Sequence, residues 1–496
     1  MNQWLLLIFC TGLGAALLIL LADLVARRVT VHRTPVSGIV AVAAYAIIGY
    51  SILAMASELP QTGQVTISLA QSSLATTLVI NRLSIYVSGI AVTLCVLTAI
   101  YTVAYLSRAG NAAVFYALTL LLALSIIGVT ISGDLLTLFI FWEAMSVSAY
   151  ALVAFRKRSW EAVEATIKYI LLSGAGSLTA LYGIALLYGI AGTLNLESLA
   201  SLLTRPSITV GLALGLILAG FGVEAAIAPM HTWLPDAHPA APSPMSALLS
   251  GIIIEIGSFT FMRILGPLFA GPAYVAYLQP LMAVFAIATM FVGNLSALHQ
   301  DDLKRMLAYS SIAQVGYILF GISTFTVAGF SASLFHIWNH ALLKGLFFLL
   351  AGIVSYMIGT RSLTLMSGIG RRYPVLAVLF GMNALAMTGV PPFGMFWSEF
   401  LIAFSALSVR SALLTTGVVM MLINILISIV YYFRVIRIVV FSKPSEIVTA
   451  NHAGQASLLM LGPGIALIAL SLITGIVPEF FYAPAVRAIQ VLMGAA

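Results

Sequence analysis

The stretch Pro229-Met230-His231-Thr232-Trp233-Leu234-Pro235-Asp236-Ala237-His238-Pro239-Ala240-Ala241-Pro242-Ser243-Pro244 separates two apolar runs, 208–229 and 245–265. About 20 apolar residues cross a bilayer as a helix, so both runs read as membrane spans. Prolines at this density cannot continue an α-helix. Unwound backbone at membrane depth must be satisfied by protein or by cavity water. A second interruption, Gly389-Val390-Pro391-Pro392-Phe393-Gly394, breaks the run 373–403. Glu224 precedes the first break by about a turn, and Glu399 follows the second by about a turn. Broken helices in corresponding halves of a membrane protein point to an ion site. His231, Asp236 and His238 in the first break, and Pro391 and Pro392 in the second, are therefore candidate site residues.

Outward from these breaks, the same window predicts an all-α polytopic membrane protein of about 14 transmembrane helices. The spans run near 4–25, 37–55, 83–106, 112–131, 135–155, 161–189, 208–229, 245–265, 275–298, 303–323, 327–357, 373–403, 411–441 and 457–477. The two breaks are five spans apart. Spans 4–8 and 9–13 are thus expected to form two inverted five-helix repeats with broken helices 7 and 12, since an odd unit reverses topology in its second copy. The chain divides into an N-terminal three-helix segment (1–111), an ion-translocating core (112–441) and a C-terminal helix and tail (442–496). The polar segment from Ser57 to Asn81 predicts a short extracytoplasmic hairpin, and Leu194–Leu203 an interfacial helix.

Composition excludes the soluble classes. Of 496 residues, 61% are apolar and 7% charged, with a mean hydropathy of +1.11, whereas soluble domains spend about a quarter of their residues on charge. The surface faces a lipid bilayer, not water or nucleic acid. Cys10 and Cys95 form no CxxC pair, and no Walker A loop or GxGxxG opens a helix. No catalytic chemistry and no cofactor are expected on this chain. At most it is a membrane subunit of an ion-translocating oxidoreductase. The first apolar run follows Met1-Asn2-Gln3 without a basic n-region and reads as a retained helix.

Orientation follows Lys and Arg placement. Arg27, Arg28, Arg33, Arg108, Arg156, Lys157, Arg158, Lys304, Arg305, Arg361, Arg371, Arg372, Arg434, Arg437 and Lys443 fall after odd-numbered spans. Arg82, Arg205, Arg263, Arg410 and Arg487 fall on the other side, and Lys168 and Lys344 within the membrane. Both termini are then extracytoplasmic, in a prokaryotic cell membrane.

Six ionisable residues are expected at membrane depth: Glu143, Lys168, Glu224, Glu255, Lys344 and Glu399. Each costs on the order of 2.5–3.5 kcal/mol at a helix centre, together roughly 15–20 kcal/mol if they faced lipid. They must face the bundle interior, pair, or touch water. Lys168 also has a structural explanation, since it can snorkel and has Glu164 as an i,i+4 partner. His336, His340 and Lys344 recur at i, i+4 and i+8 and so share one helix face. Imidazole can donate and accept a proton at once, which suits that face to a proton or ion path.

Phe141-Trp142-Glu143, Lys168-Tyr169-Ile170-Leu171, His231-Thr232-Trp233-Leu234-Pro235-Asp236-Ala237-His238, Ser246-Ala247-Leu248-Leu249-Ser250-Gly251, Ala308-Tyr309-Ser310-Ser311-Ile312 and His336…His340…Lys344 occur in this order. Together they resemble the antiporter-like membrane subunits shared by respiratory complex I, Mrp-type cation/proton antiporters and energy-converting membrane-bound hydrogenases. His238-Pro239-Ala240-Ala241-Pro242-Ser243-Pro244 looks closest to the D-type component of the Mrp antiporters and its hydrogenase counterpart. The resemblance implies the 14-helix inverted-repeat fold, other membrane subunits as partners, and a hydrophilic axis along the midplane. On it Glu143 would be the fifth-helix glutamate and Lys168 the polar partner on the sixth helix. His336, His340 and Lys344 would connect to the second half, and Glu399 would be the terminal group.

Two positions depart from that pattern: Glu224 and Glu255 stand where the family typically places lysines. Glu143, Glu224 and Glu255 could not all be ionised in one low-dielectric site. Three outcomes follow: protons carried through carboxylates, a bound and transported Na⁺, or a chain that has lost transport and serves as a structural spacer. A self-sufficient secondary transporter is a further alternative.

Overall fold

A computed structural model describes residues 1–29, 34–68, 76–107, 111–157, 159–450 and 456–494. Arg33, Arg108 and Arg158, used in the orientation argument, lie outside the described residues. In hydrocarbon every backbone group must be satisfied internally, so apolar stretches become helices. They are α1 (Asn2–Val29), α2 (Thr34–Glu58), α3 (Arg82–Tyr105), α4 (Ala112–Ile131), α5 (Leu135–Val153), α6 (Trp160–Ala191), α7 (Leu196–Leu202), α8 (Ile208–Glu224), α9 (Leu234–Ala240), α10 (Ser243–Leu248) and α11 (Ile254–Phe269). The second half holds α12 (Pro272–Leu298), α13 (Leu303–Ile322), α14 (Val327–Ile358), α15 (Ile369–Arg372), α16 (Pro374–Met387), α17 (Gly394–Ser408), α18 (Ala412–Ile436), α19 (Glu446–Ala450), α20 (Leu458–Ile476) and α21 (Pro478–Leu492). A π-helical turn, Leu249–Ile253, joins α10 to α11 into one span, Ser243–Phe269.

Eleven helical spans among the described residues are long and apolar enough to cross a membrane. Three shorter apolar helices, α8, α16 and α17, flank the two predicted breaks, and α13 is buried along almost its whole length. Helices occupy every stretch from which the sequence predicts about fourteen spans. The predicted hairpin forms from β1 (Gln64–Ser68) and β2 (Thr77–Asn81), antiparallel with Gln64 opposite Asn81. Residues 69–75 at its tip lie outside the described residues. The expected interfacial helix is α7. Beyond the last predicted span, α21 packs on α3, where the Tyr86 hydroxyl donates to the Phe481 carbonyl (3.2 Å).

The internal repeat is visible in the backbone. Helices α6 and α14 are both 32 residues long, and each ends on a left-handed glycine, Gly192 and Gly359. At the start of α5, Leu135 N–H donates to Leu194 O and Leu196 N–H to Gly133 O. At the start of α13, Leu303 N–H donates to Arg361 O and Leu363 N–H to Asp301 O. The same bridge thus recurs about 167 residues later, Trp160 aligning with Val327.

The two copies are inverted. Near the head of the Ser243–Phe269 span, Lys304 at the start of α13 donates to the Ala241 carbonyl (2.8 Å). Near its foot, Arg263 donates to the Ser132 carbonyl (2.7 Å), just before α5. Ser243 and Arg263 are about 30 Å apart at 1.5 Å per helical residue. Helices α5 and α13 therefore start at opposite ends of the bundle.

Candidate functional site

In the first half, α8 stops at Glu224, where Ala226 takes a positive φ of 54° and the chain unwinds. The Trp233 indole N–H donates to the Val223 carbonyl (2.7 Å), which also accepts the Ala226 N–H (3.0 Å) at the break. The same indole stacks flat on Tyr169 of α6 (centroids 3.9 Å, interplanar 3°). Tyr169 is thereby held so that its hydroxyl donates to one oxygen of Glu224. Ser173, one turn on, donates to the other (2.6 Å). Glu224 is buried and both of its carboxylate oxygens are engaged by α6. Glu143 on α5 is half-buried, and its Oε1 lies in the interior without a hydrogen-bond partner.

Glu255 lies in the first turn of α11, two residues beyond the end of the π-helical turn. Such turns recur at functional sites, and here the turn places Ser250 against Ser311 of α13 (2.7 Å). Glu255 is completely buried and approaches the ring Nδ1 of His340 on α14 to 2.6 Å, a close charge contact in which neither the carboxylate oxygens nor the ring nitrogens meet hydrogen-bonding geometry. Of the three carboxylates Glu143, Glu224 and Glu255, the first two lie within electrostatic reach of each other, whereas Glu255 stands apart with His340 as its close partner.

The α14 face is as the spacing predicts. His336 contacts Ser398 Oγ through Nδ1 (3.0 Å) and Gln314 Oε1 through Nε2 (2.7 Å). One turn beyond His340, the Lys344 ammonium donates to Ser310 Oγ, Leu307 O (3.2 Å) and Tyr432 OH (3.3 Å). Tyr432 packs against Tyr431 (centroids 4.5 Å), whose hydroxyl donates to Asn294 Oδ1 (2.9 Å). The Asn294 amide in turn donates to Asn424 Oδ1 (3.0 Å) and Tyr317 OH (3.3 Å). Glu399, on α17 just after the second break, is buried against Gly389; a Cβ there would collide with Glu399 Oε2.

For Lys168 the structure shows the i,i+4 pair with Glu164 that the sequence offers as its structural explanation: the side chain is 46% exposed and bridges Glu164 (2.8 Å) and Asp236 (2.9 Å), not Glu143. At 32 residues α6 is about 48 Å long, well over the ~30 Å of hydrocarbon. Lys168 therefore lies near its edge and reaches the polar zone with its stem. Asp236, from the broken loop, also pairs with Arg305 (3.1 Å), clamping α9 between α6 and α13.

His238 is fully buried, its ring stacked on Phe348 (4.3 Å) with neither nitrogen bonded. His231 lies half-buried at the break, while Pro391 and Pro392 sit exposed in the second one.

Sequence reasoning missed Lys304. It reads as part of a solvated charge run, Asp301-Asp302-Leu303-Lys304-Arg305, yet it is buried on Ala241 O, Ser246 Oγ (3.3 Å) and His238 O (3.4 Å). The hydroxyl partners Tyr169, Ser173, Ser310, Ser398 and Tyr432 were also missed.

These features define a class: a polytopic helical membrane protein built as an inverted repeat, with a broken helix in each half and buried ionisable groups between them. The chain belongs to the NADH:quinone oxidoreductase/Mrp antiporter transmembrane family, whose model matches residues 132–428. It is 36% identical over 325 residues to NADH-quinone oxidoreductase subunit N of Desulforudis audaxviator, covering 65% of this chain and 64% of that one. It is 32% identical over 430 residues to subunit N of Trichlorobacter lovleyi, covering 85% and 86%. Its fold matches a chain of the membrane-bound sulfane sulfur reductase, an archaeal respiratory membrane complex, with a TM-score of 0.89 and 29% identity over 99% of this chain and 98% of that one.

Proposed function

We propose that this chain is the ion-translocating, antiporter-like subunit of a larger membrane complex, and that the ion it moves is the proton. The observation that carries the reading is the 2.6 Å approach of Glu255 to His340. It joins the first repeat to a helix face on which His336, His340 and Lys344 follow one another at about 6 Å per turn of four residues. His340 Nδ1 faces Glu255, and an imidazole can take up a proton at one ring nitrogen and release one from the other.

The relatives' membership of multisubunit respiratory complexes supports a partnered role. The Na⁺ alternative asks for a shared set of carboxylate oxygens. Both oxygens of Glu224 instead accept from hydroxyls, and Glu255 faces an imidazole, so protons are the better-supported cargo. The Lys/Arg bias supports a cytoplasmic end that carries Lys304, Arg305 and Arg361, with both termini outside.

The test is proton uptake by everted vesicles holding the whole complex. Glu143→Gln and Glu255→Gln are each expected to abolish most of this chain's share. Unchanged flux in both, with assembly lost only on deleting the chain, would instead establish a structural spacer.

A further inference from the structure

At the end of the bundle opposite Lys304, a cavity of about 430 Å³ lies between the β-hairpin, α7, α11 and α21. That volume falls within the range of small-molecule sites. One wall carries Arg263, only 3% exposed. A guanidinium has five N–H donors. The hydrogen bond described for this one goes to the Ser132 carbonyl (2.7 Å), and its Nε is buried without a partner. Lys304 and Lys344, the other deeply buried cations among the described residues, each donate to three oxygens. Among the described residues no carboxylate forms an ion pair with Arg263. A buried guanidinium without an anion is costly, so Arg263 is suited to an anionic group brought in from outside the chain.

The cavity also has a carboxylate. Glu197, in the first turn of α7, is exposed, lines the same space and pairs with no cation among the described residues. Depth orders the two charges. The Ser243–Phe269 span is 27 residues, about 40 Å long, and extends about 5 Å past a ~30 Å hydrocarbon core at each end. Arg263, six residues from its foot, lies about 4 Å inside that boundary, within reach of its own stem.

We propose that this cavity binds the head group of an aminophospholipid, with the phosphate on Arg263 and the ammonium on Glu197. The guanidinium fork matches phosphate oxygens. In such a lipid the phosphate is the deeper charge and the ammonium the outer one, the same order as buried Arg263 and exposed Glu197.

The experiment uses the delipidated complex in mild detergent. Dihexanoyl phosphatidylethanolamine, dihexanoyl phosphatidylglycerol and inorganic phosphate are added separately, and binding is read from the shift in thermal midpoint and from adducts in native mass spectrometry. The ethanolamine lipid is expected to bind at least tenfold more tightly than the glycerol lipid. Arg263→Gln is expected to remove binding of both lipids. Glu197→Gln, at an exposed position that does not threaten folding, is expected to erase the preference while keeping phosphate-dependent binding. Equal affinity for the two lipids, full effect from inorganic phosphate alone, or unchanged binding in Glu197→Gln would each overturn the proposal.

Discussion

At the repeat offset of 167 residues, Tyr169, Ser173 and Ser177 of α6 correspond to His336, His340 and Lys344 of α14. Both triplets lie on one buried helix face. In the first half the face is neutral and two of its hydroxyls hold the carboxylate of Glu224. In the second half it is basic, and its partners are Glu255, Gln314 and the hydroxyls of Ser398, Ser310 and Tyr432. One scaffold thus carries two kinds of charge site, so the sign of the ionisable group is set by local side chains rather than by the fold. Hydroxyls can donate or accept. A neutral face of this kind therefore suits an acid at 224, where the family resemblance implies a lysine.

The sharpest way to break the comparison is to make the second half resemble the first. Lys344→Ser installs the residue found at the matching position and is expected to cut proton uptake in vesicles by roughly 100-fold, the scale of a lost positioned proton-transfer group. Activity near wild type would mean that the basic face is dispensable.

In the first half, Tyr169→Phe leaves a buried Glu224 oxygen without its donor. It is expected to lower stability by about 1.5–3 kcal/mol, read as a fall in thermal midpoint in detergent. Glycines at the helix ends give a smaller, graded contrast. Gly359 has φ 73° and open space around it, so Gly359→Ala is expected to cost about 1 kcal/mol for backbone strain alone. Gly389 has φ 69° and abuts Glu399. Gly389→Ala is expected to cost more than that, in the range of ~2–3 kcal/mol, and also to reduce flux. Equal costs at the two sites would show that Glu399 moves aside freely. Smallest of all is Lys168→Met, which removes half-exposed ion pairs worth at most ~1 kcal/mol and is expected to leave proton uptake within twofold of wild type.

Much of this was legible in the sequence because hydrocarbon leaves few options. Pro229–Pro244 and Gly389–Gly394 had to interrupt helices, and both do. The α14 spacing required one face, and His336, His340 and Lys344 share it. Residues governed by tertiary approach were less legible. Lys304 sits in a run of charges that resembles a solvated loop, and is buried because the carbonyls at the end of α9 come down onto it. Lys168 was drawn into the membrane because the length by which α6 overhangs the bilayer depends on where its partners hold it. The π-helical turn before Glu255 has no local signature, since Leu249-Ser250-Gly251-Ile252-Ile253 would fit an ordinary helix equally well.

The contact between Glu255 and His340 is tested most directly by a double-mutant cycle on proton uptake, with Glu255→Gln, His340→Ala and the pair together in vesicles containing the whole complex. If the two groups act as one relay, each single variant loses most of the flux and the double variant is no worse than either. Losses that multiply in the double variant, or single variants that conduct like wild type, would contradict it.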